Sequence, residues 1–161
     1  MDSAVALARG QAAHPLGFWS EAALVDAFFC GLRRSGCPWG TMRTATEFDY
    51  VSGRTDVIAL TRHDELIAFE AKLTRWRDAL HQSFRNTFFA QRSYVLLPLR
   101  TAELALRYAA DFSRRRAGLC SVVDGVVQIL LPAPSISCPV QPWLAAQAMD
   151  MIRRGHEHIQ Y

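Results

Sequence analysis

The chain has 161 residues, of which 50 % are hydrophobic and 20 % are charged. These values are typical of one globular domain with a substantial core, and the chain contains no internal repeat or low-complexity tract. The net charge of +3 permits a polyanionic partner without requiring one. We therefore expect a single domain spanning residues 1–161.

Targeting and redox features predict a cytoplasmic protein without a membrane partner. No stretch approaches the roughly 18 apolar residues of a membrane-spanning helix, and the first residues lack the pattern of a signal peptide. The cysteines form neither a C-x-x-C pair nor a zinc-binding spacing. We therefore expect reduced thiols at Cys30, Cys37, Cys120 and Cys138.

The first predicted helix runs from Glu21 to about Arg34, with Ser20 as its N-cap. Apolar residues recur every four positions along it, which predicts a buried stripe of Leu24, Phe28 and Leu32. Before this helix, Met1 to Leu16 is Ala-rich and is interpreted as a frayed helix or a flexible tail. After it, Thr41 to Val51 is rich in Thr and aromatic residues, which predicts a first strand.

A β-hairpin is predicted next, with apolar strands Asp56–Leu60 and Leu66–Leu73 joined by the polar turn Thr61–Glu65. If the hairpin pivots at the middle of this turn, the numbers of facing residues sum to about 126. Asp56 then faces Glu70, with their Cβ atoms about 4.5–5.5 Å apart.

Three charged residues interrupt these apolar strands: Asp56, Glu70 and Lys72. Buried charges are costly unless they are paired or bind a metal, and strand periodicity predicts that Glu70 and Lys72 point the same way. Two neighbouring carboxylates suit Mg²⁺, which makes a water molecule a better nucleophile. The lysine can orient that water and offset charge on a phosphate oxygen. This set of groups is suited to hydrolysing a phosphodiester.

A helix from Thr74 to about Ala90 is predicted after the hairpin, with Thr74 as its cap. Its expected buried stripe consists of Trp76, Leu80, Phe84 and Phe88. Its polar faces carry Arg75, Arg77, His81, Gln82, Arg85 and Asn86, whose basic members could contact phosphates. Ser93–Pro98 is predicted to be a buried strand parallel to the second hairpin strand, with this helix as the crossover.

The remaining sequence predicts a helix from Thr101 to Arg116, a hairpin around Asp124-Gly125 and a terminal helix at about Trp143–Arg154. The helix should bury Leu104, Tyr108 and Phe112. The hairpin strands are Leu119–Val123 and Val126–Leu131. Histidines at the end of the chain, His156 and His158, are expected to be exposed and are assigned no site. The predicted fold class is α/β, with a mixed β-sheet flanked by helices and a core at about residues 18–131.

The pattern D-x13-E-x-K, formed by Asp56, Glu70 and Lys72, resembles the active site of the PD-(D/E)XK nuclease superfamily. That superfamily includes restriction endonucleases, Holliday-junction resolvases and RecB-type nuclease domains. The predicted element order from Phe18 to Pro98 is similar to its αβββαβ core, so the resemblance implies a restriction-endonuclease-like fold with an added C-terminal hairpin and helix. One departure is that Thr55, not proline, precedes the aspartate.

The resemblance implies a DNA-cleaving enzyme that uses Mg²⁺ or Mn²⁺. Asp56 and Glu70 would bind the metal with the Ala71 carbonyl, while Lys72 would orient the attacking water. RNA is left open as a substrate, and a homodimer is common in the superfamily. A glutamate on the first helix joins the metal site in many members, and RecB-like members carry a glutamine on the helix after the motif. Glu21 and Gln82 match these by position.

Simpler interpretations accompany each of these assignments. Glu21 can be a first-turn acid favoured by the helix dipole, and Gln82 can belong to a solvated polar face. Asp56, Glu70 and Lys72 can form a structural ion-pair cluster. The alternative function is a catalytically inactive module that binds nucleic acid or regulates a partner on the same fold.

Overall fold

The computed structural model describes residues 14–155, so most of the predicted N-terminal tail and the histidines at 156 and 158 lie outside the described residues. Six strands and five helices form this part of the chain. In chain order they are α1 (Glu21–Ser35), β1 (Met42–Tyr50), β2 (Gly53–Thr61), β3 (Leu66–Ala71), α2 (Trp76–Asn86), β4 (Arg92–Leu96), α3 (Leu99–Leu106), α4 (Ala109–Arg114), β5 (Ala117–Val123), β6 (Val126–Leu131) and α5 (Pro142–Arg154).

The strands form one mixed sheet in the order β1-β2-β3-β4-β5-β6. β1, β2 and β3 are an antiparallel meander, β4 and β5 run parallel to β3, and β6 returns antiparallel to β5. α2 is the crossover from β3 to β4, and α3 with α4 connects β4 to β5. The predicted α/β class, with a mixed sheet flanked by helices, is confirmed.

Helices cover both faces of the sheet. The predicted stripe of α1 is buried in a cluster with one face, and the Ser20 hydroxyl accepts a hydrogen bond from the Ala23 amide at 3.0 Å, which confirms the predicted cap. α5 packs on the other face over β1 and β2. On that same face α2 packs over β3 and β4, and α3 and α4 pack over β5. Among the helices of residues 14–155, none is long and apolar enough to cross a bilayer.

The register of the β2–β3 hairpin is the predicted one. Val57 pairs with Phe69 and Leu60 pairs with Leu66, so facing residue numbers sum to 126. The turn is held by the Thr61 hydroxyl, which accepts hydrogen bonds from the His63 and Glu65 amides. Such a turn fixes the register locally, because the Thr61 hydroxyl accepts hydrogen bonds from turn amides that have no partner in the β-ladder.

The helix after the hairpin is shorter than predicted. α2 begins at Trp76 with Arg75 as its N-cap, so Thr74 lies before the helix and its predicted capping role is wrong. The helix ends at Asn86, and the chain continues in turns that bring Phe89 into the core while Phe88 is exposed. The predicted stripe therefore holds only for Trp76 and Leu80: Phe84 is half-buried on the helix, and Phe88 lies beyond the end of the helix at Asn86.

The predicted helix from Thr101 to Arg116 is two short helices, α3 and α4. The break falls at Tyr108, whose amide donates to the Ala105 carbonyl in a tight turn. Leu104 and Tyr108 are exposed, and only Phe112 of the predicted stripe is buried. The small residues of α3 face the sheet instead, and the bend lets Phe112 reach the core beneath α2.

Candidate active site

The candidate site lies where β2 and β3 separate. Their ladder stops at the pair Val57 and Phe69. One residue further, the Asp56 carboxylate takes the place of a backbone acceptor: its Oδ2 accepts a hydrogen bond from the Ala71 amide at 2.8 Å. On the other side of β2, Glu47 has a φ of 55° and interrupts the pairing of β1. The Asp56 side chain therefore spans the gap between two separating strands.

Side-chain alternation along β2 changes at this point. Val57 packs in the cluster under α1, and Asp56 lines a cleft beside α1. Thr55 instead reaches the opposite face, where its hydroxyl donates to Asn86 Oδ1 of α2 at 2.8 Å. Two consecutive residues, Asp56 and Val57, thus face α1, and the site is reached by side chains from both faces of the sheet.

Glu70 is the most deeply buried member of the predicted set, with 1 % of its surface exposed. Its Oε1 accepts a hydrogen bond from Asn86 Nδ2 at 2.6 Å. Its other oxygen, Oε2, is buried and accepts no hydrogen bond from a donor group in residues 14–155, and we call it the open oxygen. A hydrogen bond between the Glu70 and Asp56 carboxyl groups contributes to the pKa shifts of both. Burial, with the nearby Asp56 carboxylate, raises the pKa of Glu70 to about 8, although Asn86 and Lys72 act in the opposite direction.

Asn86 is the residue of the candidate site that the sequence interpretation missed. It is fully buried, and its Oδ1 accepts hydrogen bonds from the hydroxyls of Thr55 and Tyr50, the latter at 3.3 Å. These two donors orient the amide so that its NH₂ group faces Glu70. Asn86 was expected on a polar face of its helix. Only its position at the last turn of α2, over the β2–β3 strands, places it in the core.

Lys72 and Glu21 form an ion pair at the rim of the site. Lys72 Nζ lies 3.0 Å from Glu21 Oε2, and the lysine side chain is 22 % exposed. β3 ends at Ala71, so Lys72 no longer follows strand periodicity and its predicted common direction with Glu70 is replaced by a turn toward α1. Its charge still lowers the pKa of both Asp56 and Glu70.

A cleft of about 260 Å³ opens over Asp56, between α1 and the separated strands. Three further acids line it: Glu21, Asp26 and Glu47. Burial raises the pKa of Asp56, while the Ala71 amide and Lys72 partly oppose that shift. The first-helix glutamate is therefore brought to the site together with Asp56, Glu70 and Lys72.

Gln82 lies one helical turn before Asn86. In the part of the chain that the structure describes, its Oε1 is buried and forms no hydrogen bond, and the amide that contacts Glu70 belongs to Asn86. The catalytic role of Gln82 stays a prediction.

The oxygen donors of this site fit a hard divalent cation. Mg²⁺ is commonly bound through one or two carboxylates while keeping several waters, and the open oxygen of Glu70 is a buried acceptor beside Asp56. Within residues 14–155 no group of three or more His, Cys, Asp or Glu side chains is placed to hold a metal. A cation here would therefore rest on Asp56, Glu70, the Ala71 carbonyl and water.

Comparisons with known proteins bear on the fold. No protein-family profile matches the chain, and no curated protein matches it significantly. The chain is similar in structure to SPO1766, a protein of unknown function from Silicibacter pomeroyi, with a TM-score of 0.54 and 18 % identity. The match covers 84 % of this chain and 94 % of that chain. At this level of identity, the similarity shows a shared α/β fold and nothing about activity.

Proposed function

We propose that the protein is a metal-dependent phosphodiesterase of the PD-(D/E)XK type that cleaves DNA, with RNA as a second possible substrate. The observation that carries the proposal is the buried Glu70 carboxylate, which keeps an open oxygen beside Asp56. A buried carboxylate with a raised pKa next to a second carboxylate is costly for folding alone. Such pairs are typical of sites that bind a cation or transfer protons.

The order of elements supports the same proposal. α1, the β1–β3 meander, the α2 crossover and parallel β4 follow the αβββαβ order of the superfamily. Asp56 lies on β2 where the strands separate, Glu70 lies near the end of β3, and Lys72 directly follows β3. Thr55 replaces the usual proline and uses its hydroxyl to orient Asn86. The departure from the motif therefore has a structural role in this chain.

Each residue of the candidate site would have a separate role in the reaction. Asp56 and Glu70 would hold Mg²⁺ with the Ala71 carbonyl, and the cation would supply charge stabilisation at the phosphate and a more acidic water. Asn86 holds Glu70 so that its open oxygen stays available. Lys72 would orient the water that attacks phosphorus in line with the departing oxygen, so that one P–O bond forms as the other breaks.

Glu21 fits a supporting role in this scheme. Its carboxylate binds the Lys72 ammonium at 3.0 Å and so positions the lysine at the mouth of the cleft. Joining the metal site, as the resemblance implies for a first-helix glutamate, would require Glu21 to share or exchange that contact.

The test is divalent-metal-dependent cleavage of linear, supercoiled, branched and single-stranded DNA, and of RNA. Asp56→Asn and Lys72→Met keep side-chain size and should each lower the cleavage rate by about a thousandfold or more. Asp64→Asn is the matched control, because Asp64 lies in the same hairpin but pairs with Arg153 at the surface, and it should cleave at the normal rate.

Absence of cleavage on every substrate, together with no Mg²⁺ or Mn²⁺ binding by calorimetry, would refute the proposal in favour of a non-catalytic module. A cytoplasmic location is part of the proposal and agrees with four free cysteines. A homodimer stays a prediction, which sedimentation measurements test.

A further inference from the structure

A basic pocket lies between the start of α2 and α4, away from the acidic cleft. Its volume is about 250 Å³. It is lined by Trp76, Arg77, Leu80, Asp111, Arg114 and Arg115, and we call it the arginine pocket.

Arg77 is held in the arginine pocket by aromatic rings. Its guanidinium carbon lies 4.2 Å from the centre of the Trp76 ring and 4.8 Å from that of Tyr108. Within residues 14–155 it forms no ion pair, whereas neighbouring Arg75 pairs with Asp78. Stacking fixes the plane of the guanidinium and leaves its N–H donors available for a ligand.

The charges of the arginine pocket are not balanced by its own residues. Arg114 pairs with Asp111. Arg115 is partly buried and has no acidic partner in the described chain. Three arginines and one carboxylate leave an excess of two positive charges in one concavity. Such a concavity attracts an anion, and planar guanidinium groups match the geometry of phosphate.

α2 connects the arginine pocket to the active site. Arg77 is in the first turns of this helix and Asn86, which holds Glu70, is its last residue. Nine residues of helix span about 13 Å. Between them, His81 and Arg85 follow Arg77 at intervals of four and lie on the same side of the helix. Arg85 reaches Gly53 at the start of β2.

We propose that the arginine pocket binds a backbone phosphate of the nucleic-acid strand whose scissile phosphate lies at Asp56 and Glu70. This inference rests on the proposed function. Arg77 and Asn86 are nine positions apart on α2, so the phosphate in the arginine pocket is not the immediate neighbour of the scissile phosphate. The substrate is therefore a polymer that extends past the cleavage site toward α4, and a small phosphodiester leaves the arginine pocket empty.

Binding is tested without catalysis, in the full-length Lys72→Met protein with EDTA, by fluorescence anisotropy of labelled single-stranded and duplex oligonucleotides. Arg77→Gln and Arg115→Gln should each raise the Kd about tenfold and lower the slope of log K against log salt by about one. Arg153→Gln on α5 removes the same charge at a surface ion pair and should leave the Kd unchanged. Circular dichroism confirms that the variants are folded.

Catalysis supplies a second, independent measurement. In the active protein, Arg77→Gln and Arg115→Gln should raise KM for an oligonucleotide and leave hydrolysis of bis(p-nitrophenyl) phosphate unchanged. Equal effects on both substrates would overturn the proposal. Unchanged oligonucleotide Kd values would also overturn it, as would a loss of affinity only for a non-nucleic anion such as an acidic peptide. If the wild type hydrolyses neither substrate but the arginine variants still lose nucleic-acid binding, the nuclease proposal fails and the binding site stands.

Discussion

The β2–β3 hairpin carries a glutamate at each end of its second strand, and the two carboxylates have different partners. Glu65, at the turn, accepts hydrogen bonds from Arg92 Nε at 2.6 Å and from the Ser135 hydroxyl at 3.0 Å. Glu70, at the open end, is more deeply buried and is held by the neutral amide of Asn86. Glu65 is thus paired with a cationic side chain of the protein, the Arg92 guanidinium. Glu70 keeps an open oxygen, as expected if its cation comes from solution.

The largest expected effect comes from removing the charge of Glu70. The pKa of Glu70 is about 8 in the folded protein against an ordinary value of 4.5. Below about pH 4.5 the group is neutral in both states. As pH rises toward 8 the unfolded state loses its proton first, so the free energy of unfolding should fall by an amount on the order of 4 kcal/mol. Glu70→Gln should remove this slope.

Urea unfolding in EDTA between pH 4.5 and 8 measures the difference between wild type and Glu70→Gln. Mg²⁺ should restore stability to the wild type at pH 8, because it binds the ionised pair, and should leave the variant unchanged. A wild type whose stability does not decrease over this window would show that Glu70 titrates normally and would remove the contrast with Glu65.

Asn86→Ala should have the next largest effect. It leaves Glu70 Oε1 and the hydroxyls of Thr55 and Tyr50 without their shared partner, which should cost about 2 kcal/mol. The Asn86 amide also lowers the pKa of Glu70, so Mg²⁺ affinity at neutral pH should fall.

Ser83→Ala is the control for Asn86, because Ser83 lies on the same helix and its buried hydroxyl bonds to Ser93 at 2.7 Å. It should lose about 1 kcal/mol with no change in Mg²⁺ affinity. Calorimetric titration of both variants with Mg²⁺ measures these affinities. Equal Mg²⁺ affinities for the two would mean that Asn86 serves the fold alone.

Glu65→Gln tests the structural end of the hairpin. It replaces the charged partner of Arg92 with a neutral one at a partly exposed site, so the stability loss should be about 1 kcal/mol. Mg²⁺ should stabilise this variant as much as the wild type. A weakened response to Mg²⁺ would show that the two ends of the hairpin are not separate in function.

Gln82→Met should have the smallest effect. In the described chain the Gln82 Oε1 is buried without a partner, so an apolar side chain of similar size should change stability by less than about 0.5 kcal/mol. Cleavage should continue near the normal rate. A tenfold or greater loss of cleavage in a stable variant would instead support the catalytic role that the resemblance predicts for Gln82.

Local sequence was sufficient for the hairpin and its two acids. The Thr61–Glu65 turn and the apolar strands around it set the register, which brings Asp56 and Glu70 to the same end of the hairpin. The turn of the Asp56 side chain toward α1 was not predictable, because it follows from the separation of the two strands. The direction of Lys72 was not predictable in the same way. β3 ends at Ala71 because the strands separate there, and the lysine then pairs with Glu21, a residue 51 positions away in the sequence.

Periodicity identified helices but misjudged some of their faces. The period of four holds for Trp76 and Leu80 but not for Phe84, which is half-buried, or for Phe88, which lies beyond the end of α2. The same periodicity predicted a continuous helix with Tyr108 buried. The break between α3 and α4 instead leaves Tyr108 exposed beside Arg77. The positions where such helices end depend on how their side chains pack against the sheet, which local periodicity does not specify.

The sequence by itself determined the α/β class, the order of the elements and the hairpin register that brings Asp56 and Glu70 to one end, because these follow from local periodicity and turn chemistry. Tertiary structure alone decided that Asn86 holds Glu70, that Lys72 meets Glu21, and that Arg77 stacks on Trp76 and Tyr108. The physical reason is that the sequence does not distinguish a solvated polar side chain on a helix from a buried one with a partner. Their partners are set by where the helix crosses the sheet and where it ends.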